Sequence, residues 1–270
     1  MPTFQHKGNE INYTRTGEGQ DLVFLHGLAA DARQSEQAMA DLPGIRLIAV
    51  DMPGHGRSPL SSTNDLNAQV SFRAYTEVVC ALLTHLGITN VIAGGISMGA
   101  GIALSLALAE PQMVRALLLV RPAWLDRPGR PQLNVIEDIG NWIVGKGPDE
   151  GARLLLSHPV YADALVHNPN CAASVMGAVT RPQATEAAAV LPAMVADQPF
   201  ARIELLQKCT TPALVIGNNA DPLHPAMIAR ETSGALANSE YFHAPPRYLE
   251  PQAHQAAVLD SIRKFLDQHL

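Results

Sequence analysis

Cysteine is scarce in this chain. Cys80, Cys171 and Cys209 are far apart in the sequence, form no CxxC and cannot all pair. That argues against a disulfide scaffold and a thiolate zinc site, and a reducing, cytoplasmic setting is the expectation. Charge is also sparse, at 16% of residues, and the 19 basic groups are outnumbered by 25 acidic ones for a net charge of −6. No Lys/Arg cluster stands out, which argues against a protein living on phosphate contacts. The stretch Met1 to Glu10 is polar and lacks the apolar core of a signal peptide. Disorder is excluded by the 47% of apolar residues, ample for a large buried core within 270 residues.

One segment is conspicuously free of charge, Leu86 to Ala109, and it is long enough to span a bilayer. Four glycines, Gly94, Gly95, Gly99 and Gly101, interrupt it, with Asn90, Ser97 and Ser105. A buried strand, a tight turn and a buried helix account for the run better than a membrane span.

The surrounding pattern supports that division. Strands are expected at Asp21 to Leu25, Arg46 to Val50, Asn90 to Ile96 and Ala116 to Val120, with helices at Ser71 to Leu86 and Met98 to Ala109. Short apolar runs alternating with helical periodicity imply right-handed crossovers. The fold class is therefore α/β, a mostly parallel sheet with helices on both faces. The alternation stops at Pro122. From there to Pro199 the chain holds nine of its 20 prolines and only short Ala/Leu/Val helical stretches. Residues 122–206 are expected to form an inserted helical cap, and residues 1–121 and 207–270 the core. Alternation resumes with a strand at Ala213 to Ile216, a helix near Pro225 to Leu236, a strand at Glu240 to His243 and a final helix. The last helix carries the stripe Val258, Leu259, Ile262, Phe265 and Leu266.

Three segments can carry chemistry. Gly95-Ile96-Ser97-Met98-Gly99 follows an expected strand and opens an expected helix, the setting of a nucleophile elbow. Glycines two positions either side of the serine relieve the crowding of a sharp strand-to-helix turn, and the Ser97 hydroxyl emerges at a helix N-terminus. The bland reading is a plain glycine turn. Leu25-His26-Gly27-Leu28-Ala29 ends another strand, where the N–H groups of Leu28 and Met98 can form a two-donor oxyanion hole. Gly217 to Pro225 follows a third strand and carries Asp221, a carboxylate that could orient a histidine, though in isolation a helix N-cap or turn Asp is the plainer reading.

Taken in order, His26-Gly27, Asp51-Met52-Pro53-Gly54-His55-Gly56-Arg57-Ser58, Gly95 to Gly99 and Gly217 to Asp221 resemble the α/β-hydrolase superfamily. The resemblance spans most of the chain, and the insertion falls where that family carries its cap. It is nearest to the ester, lactone and carbon–carbon bond hydrolases. Serine at the elbow argues against the dehalogenase and epoxide-hydrolase branches, which carry Asp there. The resemblance implies Ser97 as nucleophile, Asp221 as the acid, and Leu28 and Met98 as the oxyanion hole. The Asp51 to Ser58 segment would be a structural loop beside the site.

The chain departs from the family at the histidine, commonly found a few residues after the last strand. Arg247 and Tyr248 stand at about that place. His254 is the expected base: it lies at the start of the last helix, on the inward stripe. His243, His224 and the absence of any base are the alternatives. Arg121 ends a buried strand and is a candidate for binding a substrate carboxylate, unless it pairs with a nearby acid such as Asp126. Trp124 and Trp142 are candidates for an acyl pocket, with simple packing the plainer reading for both. The expected activity is hydrolysis of a small carboxylic ester or lactone. Its rivals are a perhydrolase, a carbon–carbon bond hydrolase or a ligand-binding protein of the same fold. The implied partner is a small-molecule substrate, with no nucleic acid and no membrane. No cofactor is implied and no metal site is expected.

Overall fold

In the computed structural model, which describes every residue except Met1, Asp41, Thr63 and Leu270, one eight-stranded sheet organises the molecule. In chain order the elements are β1 (Thr3–His6), β2 (Asn9–Gly17), β3 (Gln20–Leu25), α1 (Ala32–Ala38), β4 (Ile45–Val50), α2 (Leu66–Gln69), α3 (Phe72–His85), β5 (Val91–Ile96), α4 (Met98–Ala109) and β6 (Val114–Val120). There follow α5 (Asn134–Lys146), α6 (Pro148–Leu155), α7 (Pro159–His167), α8 (Pro169–Thr180) and α9 (Val190–Val195). The chain then closes with β7 (Ala213–Asn218), α10 (Ala226–Ala235), β8 (Ser239–Ala244) and α11 (Pro251–His269).

Strand order across the sheet is β1-β2-β4-β3-β5-β6-β7-β8. From β4 to β8 every neighbouring pair is parallel, while β1–β2 and β2–β4 are antiparallel. The central strands are buried on both faces, so they read as continuous apolar runs. β1 and β2 show no apolar run in the sequence: Phe4, Ile11 and Tyr13 are buried among polar residues, of which Asn9 and Asn12 are buried too. The charge-free segment divides as expected into β5 and α4. Among the described residues no helix is long and apolar enough to cross a membrane.

Two apolar clusters flank the sheet. One joins α3 and α4 to the helices between β6 and β7, whose Ile139, Val175 and Leu191 belong to that same cluster. The other fills the opposite face with Val258, Ile262 and Phe265 of α11 against Phe24, Ile92 and Leu118. Between β6 and β7 the described chain is helical, α5 packing on α6 and α9, and α7 on α8.

Candidate active site

The strand ends deliver the site. Ser97 N donates to Val120 O at 3.0 Å and Arg121 N to Ile216 O at 2.7 Å. The ladder thus continues past the last formal pairs and sets Ser97, Arg121 and the loop after β7 side by side. Ser97 has φ +58° and Arg121 φ +48°, left-handed conformations that non-glycine residues seldom hold unless their surroundings enforce them. The glycines of the elbow are required by contact. A Cβ on Gly95 would strike the Gly99 backbone, and one on Gly99 would strike the Leu25 carbonyl oxygen. Although Ser97 occupies the N-cap of α4, its hydroxyl makes no capping bond. It meets His224 instead, with Oγ 2.9 Å from Nε2.

The loop after β7 is wound on Asp221. Oδ1 accepts from the backbone N–H groups of Leu223 and His224, each at 3.2 Å. This tight Asp-Pro-Leu-His turn folds the His224 ring back so that Nδ1 lies 2.9 Å from the same oxygen. Oδ2 receives Arg121 Nη1 at 2.9 Å. Burial alone would push the Asp221 carboxyl up, but His224 and Arg121 outweigh it and hold the group far below the ordinary carboxylate range. An ionised carboxylate only accepts, so Nδ1 carries the proton and Nε2 is left as the acceptor for the Ser97 hydroxyl.

The structure corrects the expected histidine. His254 is buried on the inward stripe of α11, as its spacing implied, but the stripe aims it elsewhere. It lies in the groove between α1 and α11, its Nδ1 2.8 Å from the Pro245 carbonyl oxygen, and its ring bonds neither Ser97 nor Asp221. Burial lowers its pKa to about 4. His243 is exposed, with Nδ1 2.9 Å from the Tyr241 hydroxyl. His224, one of the alternatives, lies only three residues from Asp221. The Asx-type turn is what brings so near a residue back over its own acid.

Arg121 is also reassigned. Its guanidinium is paired with Asp221 in a buried ion pair, with side-chain exposures of 6% and 0%. Asp126, the acid expected beside it, instead accepts from Ile203 N at 3.1 Å and faces Arg130 at 3.8 Å. Trp124 is a packed residue: its ring meets Phe72 edge-on at 5.5 Å and its Nε1 donates to Met194 O at 3.2 Å. One edge of it still lines the cleft over Ser97. Leu28 lines that cleft too, and Met98 is the buried first residue of α4. Their N–H groups have no acceptor among the described residues. Gly27 sits against Ser97, for a Cβ placed on it would lie 3.6 Å from Ser97 Cβ.

The Asp51 to Ser58 segment is structural, as the resemblance implied. Asp51 Oδ1 accepts from Ala32 N at 2.7 Å and Oδ2 from Arg57 N at 3.0 Å, while His26 Nε2 accepts from Met52 N at 3.1 Å. The cleft itself measures about 210 Å³, with apolar walls from Trp124, Leu133, Ile136 and Leu223. Arg247 and Tyr248, which the sequence reading left without a role, also line it. Among the described residues no group of three or more His, Cys, Asp or Glu side chains is placed to hold a metal ion.

Comparison with known proteins agrees with this architecture. The chain is 36% identical over 102 residues to the lipase LipV of Mycobacterium tuberculosis, covering 38% of this chain and 37% of that protein. It is 34% identical over 102 residues to an sn-1-specific diacylglycerol lipase of Mus musculus, covering 37% and 31%. The matched stretch is thus less than half the length of either curated relative. Over nearly the whole chain the fold is similar to an esterase from Thermogutta terrifontis, with TM-score 0.75, 21% identity and 99% and 97% coverage. It is equally similar to the enol-lactonase of Burkholderia xenovorans LB400, with TM-score 0.75, 20% identity and 98% and 100% coverage. A family model described as the alpha/beta hydrolase fold matches residues 22–248, from the third strand through the loop beyond the last, and on that match the chain belongs to the alpha/beta hydrolase family.

Proposed function

We propose that this chain is a serine hydrolase of small carboxylic esters or lactones, acting through an acyl-enzyme. The observation that carries the reading is the unbroken chain from Ser97 Oγ to His224 Nε2 and from His224 Nδ1 to Asp221 Oδ1, with both links at 2.9 Å, opening on an apolar cleft. In this reading Ser97 attacks the carbonyl carbon while His224 takes its proton, and Asp221 steadies the resulting imidazolium. The amides of Leu28 and Met98 receive the oxyanion. His224 then returns its proton to the departing alkoxide. A water activated by the same ring releases the acid and restores Ser97. The helices between β6 and β7 act as a cap over the cleft, which Leu133 and Ile136 of that segment help to wall.

Labelling with a fluorophosphonate probe tests the reading. Wild type should label and hydrolyse short 4-nitrophenyl esters, and Ser97→Ala should do neither while keeping its melting temperature. His224→Ala should slow both by about a hundredfold or more, the usual scale for losing a general base. Substantial ester turnover by Ser97→Ala would refute the serine mechanism.

A further inference from the structure

The charges in the cleft are unbalanced. Of its lining side chains only Arg121 and Arg247 are charged, and no Asp or Glu lines it among the described residues. Arg121 is neutralised by Asp221 just behind the wall. Arg247 is not neutralised: it is half-buried, and neither an ion pair nor a hydrogen bond engages its guanidinium among the described residues. Its neighbour is a ring. Tyr248 carries the Arg247 guanidinium 5.9 Å from its centroid, with that of Arg121 also at 5.9 Å. The ring is anchored in turn, its residue's carbonyl accepting from Asn170 Nδ2 at 2.7 Å and its hydroxyl lying 3.4 Å from Ser174 Oγ. Burial first, and then the neighbouring Arg121, disfavour the charged form of Arg247.

A half-buried guanidinium with no ion-pair partner, set beside an aromatic ring in the lining of the cleft that holds Ser97, is suited to receive an anion. We propose that Arg247 binds a free carboxylate on the substrate, so that the cleft selects esters or lactones bearing a second, uncleaved carboxylate. The planar fork suits a carboxylate bidentately. The apolar walls suit a short carbon chain between the two groups, and about 210 Å³ suits a small one. The carboxylate expected at Arg121 is thereby moved to the arginine that has no internal partner. This inference rests on Ser97 as the nucleophile for its kinetic arm only.

The test compares the 4-nitrophenyl half-ester of adipic acid with 4-nitrophenyl hexanoate, equal in chain length and differing in the terminal carboxylate. Wild type should favour the half-ester in kcat/KM, chiefly through KM and less so at high salt. In Arg247→Met that preference should fall about tenfold or more, as expected when a charge-assisted hydrogen bond is lost. Arg247→Lys should keep part of it and also serves as the readout if the Met variant fails to fold. An unchanged ratio in a folded Arg247→Met, or a wild type that favours hexanoate, overturns the proposal. Calorimetry with adipate, which cannot react, separates this idea from the hydrolase reading. If neither ester turns over and Ser97 does not label, but adipate binds wild type and not Arg247→Met, the hydrolase reading fails and the anion site stands. If hexanoate is cleaved but adipate does not bind wild type, the anion site fails and the hydrolase reading stands.

Discussion

Replacing Arg121 by Met should expose how the site is held together. The guanidinium and the Asp221 carboxylate approach to 2.9 Å with almost no solvent access. At an effective dielectric near 20, two charges about 4 Å apart attract by about 4 kcal/mol. Removing one member of a buried pair typically costs about 3–5 kcal/mol, because the other is left uncompensated. Asp221 would keep its three N–H neighbours from Leu223 and His224 but lose its one permanent cation. For a chain of this size such a loss lowers the melting temperature by on the order of 10 °C. Asp221→Asn should destabilise through the orphaned guanidinium, and the double variant should lose less than the two single losses combined. The carboxyl of Asp221 is depressed in the folded state, so its contribution is present above about pH 4 and is lost as pH falls towards the folded value. Without Arg121 the folded value rises, and acid unfolding should begin at higher pH. Turnover should drop alike for neutral and carboxylate-bearing esters. Thermal melts between pH 3 and 8 and the two-ester comparison read these outcomes. A melting temperature within about 2 °C of wild type, or a loss confined to carboxylate esters, would refute the reasoning.

Other predictions concern His254 and the elbow. His254→Ala should retain far more ester activity than His224→Ala in the same assay, because its ring binds the Pro245 carbonyl and not Ser97. Burial lowers the His254 pKa from 6.5 to about 4, so the folded state binds its proton less tightly than the unfolded chain. Wild-type stability should therefore erode as pH falls from about 6.5 towards 4, by roughly 3 kcal/mol in the limit, and His254→Gln should flatten that stretch of the urea-unfolding profile. Gly99→Ala should cost several kcal/mol or block folding, since the new methyl group meets the Leu25 carbonyl oxygen; soluble expression and a wild-type melt would contradict this.

What was legible in the sequence follows from how local each signal is. β5, the Ser97 turn and α4 declare themselves within 20 residues, because a buried parallel strand is apolar throughout and the turn demands glycine at 95 and 99. The hairpin of β1 and β2 did not, since a strand whose buried positions include Asn9 and Asn12 resembles a loop in sequence. His254 misled for a physical reason: helical periodicity tells which residues of α11 face inward, but not which part of the interior they meet. Arg121 was recognised as a buried cation needing a partner. The partner lay 100 residues away on the next strand's loop, where sheet register and not sequence proximity sets the distance.

Asp221 and His224 sit on one four-residue turn, whereas the Arg247 guanidinium hangs from the segment that follows β8. The Asp221–His224 link therefore takes its geometry largely from the backbone of one turn, while Ser97 and Arg121 reach it from the ends of β5 and β6. Sliding or tilting β8 against β7 would carry Arg247 across the cleft without altering the distance from carboxylate to imidazole. The segment from β8 onward becomes a natural place to vary residues that line the cleft, whereas the turn at Asp221 could travel to another strand end only together with a cation to replace Arg121.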